Sequence, residues 1–160
     1  ETSDEFYDGI KDLIEVVSTI KNVFLTIRIR SNPECNIKWL LLLASSVKNV
    51  SIKVDGIFVN DLVQSDLLIA NSSTTIEEAL AFDKNVLLWG NGARYSHTFM
   101  NTKDNRINDN AINKLSLRSE IIKIRDIFIN KIHSTPIQSR IQKETDSLVP
   151  DSLFNNTKIS

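Results

Sequence analysis

The apolar residues of this chain recur at two spacings, one helical and one alternating, and the switches between them lay out helices and strands in turn. Phe6, Ile10, Leu13, Ile14, Val17 and Ile20 fall at helical spacing behind a Thr2-to-Glu5 capping box, which predicts an amphipathic helix ended by Asn22. Val23 to Ile29 is rich in β-branched residues and reads as a strand, with Arg28 and Arg30 on one face near its end. Ser31-Asn32-Pro33-Glu34 makes a turn. Ile37, Leu40, Leu41, Ala44 and Val47 mark a second helix. Val50 to Val54 alternates as a short strand, and Gly56 turns the chain toward a small helix around Asn60 to Gln64.

The next stretch organises the rest. Leu67 to Ala70 is a short apolar run bounded by polar residues, the pattern of a buried parallel strand. Asn71, Ser72, Ser73, Thr74 and Thr75 follow as a cluster of helix-capping side chains, and Thr74 with Glu77, or Thr75 with Glu78, fits a reciprocal capping box. Ile76, Ala79 and Leu80 stripe the helix, Asp83-Lys84-Asn85 ends it, and Val86 to Trp89 is another buried strand closed by Gly90-Asn91-Gly92. This is a βαβ unit. Gly90 to Asn110 is polar and irregular. Leu117, Ile121, Ile124, Phe128 and Ile132 predict a long helix, and Ile137, Ile141 and Leu148 a weaker one between Pro136 and Pro150.

Helix and strand in alternation predict an α/β fold, a parallel sheet with helices on both faces. Right-handed crossovers put the carboxyl ends of all strands on one edge, where Arg30, Gly56 and Ser72 to Thr75 then meet. A helix N-terminus carries unpartnered backbone N–H groups and about half a positive charge, and hydroxyl side chains add donors there without bulk. That combination suits a phosphate or diphosphate at the end of a parallel strand. Glu78, one helical turn further in, is within reach of a ribose hydroxyl pair. As plain structure, the same hydroxyls would only cap the helix and Glu77 and Glu78 would be solvated.

The strand, Ser72-Ser73-Thr74-Thr75, Glu78-Ala79-Leu80-Ala81, short turn and apolar strand together resemble the donor-binding half of GT-B-type glycosyltransferases. They are also similar to the related glycerophosphotransferases and UDP-sugar epimerases. The resemblance spans roughly Val23 to Gly90 and departs from the family at Asp83-Lys84-Asn85, where a Gly-Lys-Pro is usual. Ile29-Arg30-Ser31-Asn32-Pro33 resembles an apolar-Arg-x-His-Pro turn of the same enzymes, with Asn32 in place of the histidine, so no role of that histidine carries over.

The resemblance implies a Rossmann-like three-layer α/β/α domain, half of a GT-B fold. In it Ser72, Ser73, Thr74 and Thr75 would hold the nucleotide diphosphate, with Arg30 beside them. Glu78 would contact the ribose, and the backbone around Gly56 and Ile57 would cradle the base. The ligand would be a nucleotide-sugar donor, with neither metal nor other cofactor required, and the setting surface polysaccharide biosynthesis. A polyol-phosphate transferase, a sugar-nucleotide epimerase and a non-catalytic interaction domain are the alternatives. No catalytic residue identifies itself; the base would come from an N-terminal acceptor domain.

Composition narrows the field further. With 160 residues, 41% hydrophobic and 24% charged, residues 1–160 make one domain of ordinary globular type, with 134–160 as a possible tail helix. A net charge of −1 gives no field that calls for nucleic acid. Cys35 is the single cysteine, which excludes an internal disulfide framework, and the isolated histidines His97 and His133 argue against zinc. The longest apolar run, Trp39 to Ala44, is far short of a membrane span. We expect a cytoplasmic protein, the full-length enzyme working at the inner face of the membrane. Met100 is the only methionine, and the chain is expected to be a piece of a longer protein. Asn49, Asn71 and Asn155 head glycosylation-type triplets, treated as chance in such a setting.

Overall fold

The computed structural model describes residues 3–30, 35–71, 73–90 and 104–134. They form an α/β structure in the order α1 (Ser3–Ser18), β1 (Leu25–Arg28), α2 (Ile37–Ser45), β2 (Val50–Lys53), α3 (Phe58–Gln64), β3 (Leu67–Ala70), α4 (Thr75–Ala81), β4 (Asn85–Leu88), β5 (Ile107–Asn108) and α5 (Lys114–Ser134). The chain divides into two compact units, Glu1–Arg125 and Asp126–Ser160. Of the second, the structure describes the last turns of α5, where the Lys131 ammonium lies 5.7 Å from the centre of the Phe128 ring. The weaker helix expected between Pro136 and Pro150, and most of the polar stretch after Gly90, lie outside the described residues.

All strand pairs are parallel, as buried apolar strands joined by helices require. They form two small sheets. In one, β1 lies against β2 with Leu25 opposite Val50; in the other the order is β3-β4-β5, with Leu67 opposite Asn85 and Val86 opposite Ile107. The two sheets share a core. Leu13, Val16, Val17 and Ile20 of α1 gather with Leu87, Ala111, Leu117 and Ile121. Val23, Leu25 and Val50 flank that cluster from one sheet, and Leu67, Ile69 and Trp89 from the other.

A second cluster joins Leu62, Ile76, Ala79, Val86 and Leu88, with Phe58, Leu68 and Ala70 around it. Side chains alternate across a strand, so Leu87 enters one cluster while Val86 and Leu88 enter the other. β4 is therefore covered on both faces. Leu40, Ile76, Val86, Leu87 and Leu117 are fully buried, and full burial of such a side chain contributes about 1.5–3 kcal/mol.

Local chemistry sets where elements start and stop. The Asn36 side chain accepts from the Trp39 N–H at 3.0 Å and caps α2. At α5, Asn113 Oδ1 accepts from the Ser116 N–H while the Ser116 hydroxyl accepts from the Asn113 N–H, both at 3.0 Å, a capping box with serine in the glutamate position. α4 ends as the sequence requires at Asp83, whose φ of 56° is left-handed. The Lys84 N–H bonds the Ala79 carbonyl and the Asp83 N–H the Leu80 carbonyl, a Schellman motif built without glycine.

Candidate functional site

Gly56 and Ile57, expected at the base-cradling loop, stand where β2 leads into α3, and they line a cavity of about 540 Å³. Arg28, Lys53, Val54, Asp55, Asn60, Asp61 and Gln64 complete its wall. Ile57, Asn60, Asp61 and Gln64 recur at the i, i+3, i+4, i+7 spacing that would place them on the buried stripe of a helix. Here that stripe carries an exposed isoleucine, two carboxamides and a carboxylate, and it faces the cavity.

The floor of the cavity is an ionic cluster. Arg28, the last residue of β1, donates from Nη1 to Asp61 Oδ2 and from Nη2 to the Gly56 carbonyl oxygen at 2.7 Å. Lys53, the last residue of β2, donates to the other Asp61 oxygen, Oδ1, at 2.5 Å. Hydrogen bonds from Lys53 and then Arg28 hold the Asp61 carboxyl below the usual aspartate range, against a smaller opposing effect of desolvation. One carboxylate thus ties both strands of the first sheet to α3.

The hydroxyl-rich turn stands elsewhere. Ser73, Thr74 and Thr75 follow the carboxyl end of β3 and open α4; Thr74 and Glu78 are exposed, and Ser73 and Thr75 are half-buried. Neither of the two expected capping boxes is what caps α4. Thr74 already has helical backbone angles and makes no capping bond through its side chain. Ser73 does the work instead: its hydroxyl accepts from the Thr75 N–H at 3.2 Å, and its carbonyl accepts from the Ile76 N–H at 3.1 Å. With the Glu77 N–H on the Thr74 carbonyl, the first turn of α4 satisfies its own amides from Thr75 to Glu77. The row of unpartnered donors expected there is therefore closed, and what the turn offers a ligand is hydroxyls and the helix dipole. Ser72 lies outside the described residues.

The cavity wall includes Gly56 and Ile57 but not Arg30, Ser73, Thr74, Thr75 or Glu78. Arg30 is exposed just beyond β1. Comparison with protein-family models, curated proteins and solved structures yields no match. What the site is for must come from its own chemistry.

Arg28, Lys53, Asn60, Asp61 and Gln64 were not singled out by sequence reasoning as site residues. Two signals point to them. Arg28 stands at strand spacing within the β-branched run, and the polar stripe of α3 has the spacing of a core-facing helix without its composition. Among the described residues, no three His, Cys, Asp or Glu side chains gather as a metal-ligand set, and no helix is long and apolar enough to cross a membrane.

Proposed function

We propose that this chain is the nucleotide-sugar-binding domain of a GT-B-type glycosyltransferase, with the Rossmann-like three-layer arrangement that such a domain has. The observation that carries the reading is the parallel β3–α4–β4 unit, with Ser73, Thr74 and Thr75 at the carboxyl end of β3. Anions favour a helix N-terminus for its dipole, and small hydroxyl side chains can donate to phosphate oxygens without blocking them. Glu78, exposed one turn further along α4, accepts from ribose hydroxyls. The base occupies the cavity beside Gly56 and Ile57, with the ribose and diphosphate leading toward Ser73.

Chemistry in such a domain is electrostatic. As the glycosidic bond to the nucleotide diphosphate breaks, negative charge grows on the departing phosphate, and preorganised hydroxyls at a helix N-terminus stabilise it more than they stabilise the bound donor. The acceptor hydroxyl and its base belong to a second domain, so the isolated chain binds nucleotide and transfers nothing. Titration with millimolar UDP, CDP or GDP should move the amide resonances of Ser73, Thr74 and Glu78 together with those of Gly56 and Ile57. If none of the three nucleotides moves either group, the transferase reading fails.

A further inference from the structure

The cavity wall contains a guanidinium, that of Arg28, that also bonds the backbone of the loop beside it. Gly56 has φ of +98°, so the loop from Val54 to Ile57 sits in a conformation the chain does not hold by default. Its peptide carbonyl is anchored at one point, by Arg28 Nη2 at 2.7 Å. The same guanidinium is pinned through Nη1 to Asp61 on α3, and Asp61 is pinned in turn by Lys53 at 2.5 Å. A planar guanidinium can serve two acceptors in fixed directions at once, which an ammonium on a flexible stem does not do.

We infer that Arg28 is the positioning residue of the base site: by bridging the Gly56 carbonyl to Asp61, it sets the backbone of residues 54–57 against the Asn60–Gln64 face of α3 so that the loop can read a nucleotide base. The inference rests on the nucleotide reading above and adds to it the residue that organises the site. Arg30, two residues on and beyond the end of β1, is exposed and is not in the cavity wall. Arg28 acts through the loop. Its loss should therefore weaken ligands that carry a base and spare ligands that do not.

The test compares the unmodified chain with R28M, R28K and D61N. R28M leaves Asp61 paired with Lys53, so no buried charge is stranded and the variant folds, which unmoved amide resonances at Thr75 and Glu78 would verify. Without ligand, the Gly56 and Ile57 amides should shift or broaden in R28M. UDP, CDP or GDP should bind about tenfold more weakly, the scale of one lost charge-assisted hydrogen bond, while inorganic pyrophosphate binds as before. R28K, able to reach one acceptor but not both, should recover part of the loss, and D61N should reproduce part of it without touching Gly56. Gly56 and Ile57 amides unchanged in R28M overturn the positioning role, as does an equal loss for pyrophosphate and nucleotide. Failure of the unmodified chain to bind any nucleotide overturns the ligand half and the function proposed above, while the ligand-free amide shifts decide the loop half separately.

Discussion

Arg106 donates from Nη1 to the Leu80 carbonyl oxygen at 2.7 Å, so a guanidinium entering β5 closes the carboxyl end of α4. The same Nη1 reaches Asp83 Oδ1 at 3.1 Å, and the other nitrogens of the fork hold Asp104, Nε to Oδ1 at 2.9 Å and Nη2 to Oδ2 at 2.5 Å. A cation at a helix C-terminus is favourable for the dipole, and here it also joins the helix to the segment that returns to the sheet. This contact gives α4 a fixed far end, with its near end left to Ser73.

That cluster predicts a pH dependence on the acid side. Hydrogen bonds from the Arg106 side chain, and then from its backbone N–H, hold the Asp104 carboxyl down from the ordinary 3.8 to about 2. Between those values the unfolded chain binds a proton at this position and the folded chain does not. The contribution to stability is therefore complete above 3.8 and is lost as pH falls toward 2. Urea midpoints measured down this range should fall less steeply in D104N than in the unmodified chain. Equal slopes would mean that the ion pair does not persist in solution.

A second prediction concerns the turn that opens α4. Ser73→Ala removes the side-chain acceptor of the Thr75 N–H and should cost about 0.5–2 kcal/mol, the usual range for a lost cap. Thr74→Ala removes an exposed side chain that caps nothing and should stay within about 0.5 kcal/mol of the unmodified chain. If the transferase reading is right, both variants weaken nucleotide binding, since both remove a hydroxyl from the phosphate turn. Stability and affinity thus separate at Thr74. A T74A chain that loses stability as S73A does would place the cap at Thr74 after all.

Much of the frame was legible because it is local. The run Leu67 to Ala70 is the strand β3 to the residue, and Asp83 ends α4 as its turn-forming character requires. Other boundaries moved for physical reasons. The expected strand from Val23 to Ile29 keeps ladder pairing only over Leu25–Arg28, the part opposite the four residues of β2. β5 is not legible in the sequence, because two residues, Ile107 and Asn108, have no periodicity; it exists because β4 offers them a paired edge. α5 starts earlier than its apolar stripe, at Lys114, where the Asn113–Ser116 box begins it. The site was harder. Arg28 and Asp61 are 33 residues apart, and no spacing rule joins a strand end to a helix across that separation. A turn motif points to Arg30, whereas the arginine in the cavity wall is Arg28, held there by the Gly56 carbonyl and Asp61.

The covered strand makes a third prediction. Leu87 is fully buried between α1 and α5, so Leu87→Ala leaves a cavity that the surrounding helices can fill only in part. The expected loss is about 2–5 kcal/mol, read as a lower urea midpoint at unchanged m-value. Leu42→Ala, on the outer face of α2 and 73% exposed, is the matched control and should fall within about 0.5 kcal/mol of the unmodified chain. Similar losses at both positions would mean that Leu42 is covered in solution or that Leu87 is not.

The last prediction separates backbone strain from crowding at Gly56. A β-carbon there would lie 3.7 Å from Arg28 Nη1, ordinary van der Waals contact, so space does not forbid alanine. The φ of +98° does, because an L-residue pays about 1–2 kcal/mol to hold the left-handed side of the map. Gly56→Ala should therefore destabilise by that amount or let the loop relax to negative φ. Relaxation would rotate the Gly56 carbonyl away from Arg28 Nη2 and give up their hydrogen bond. The two outcomes differ in a double-mutant cycle with R28M. If the loop holds its shape, the losses add; if it relaxes, R28M costs little once Gly56 is alanine, because the bond it would break has already gone. A Gly56→Ala chain as stable as the unmodified one, with full additivity, would show that the positive φ is not the conformation in solution.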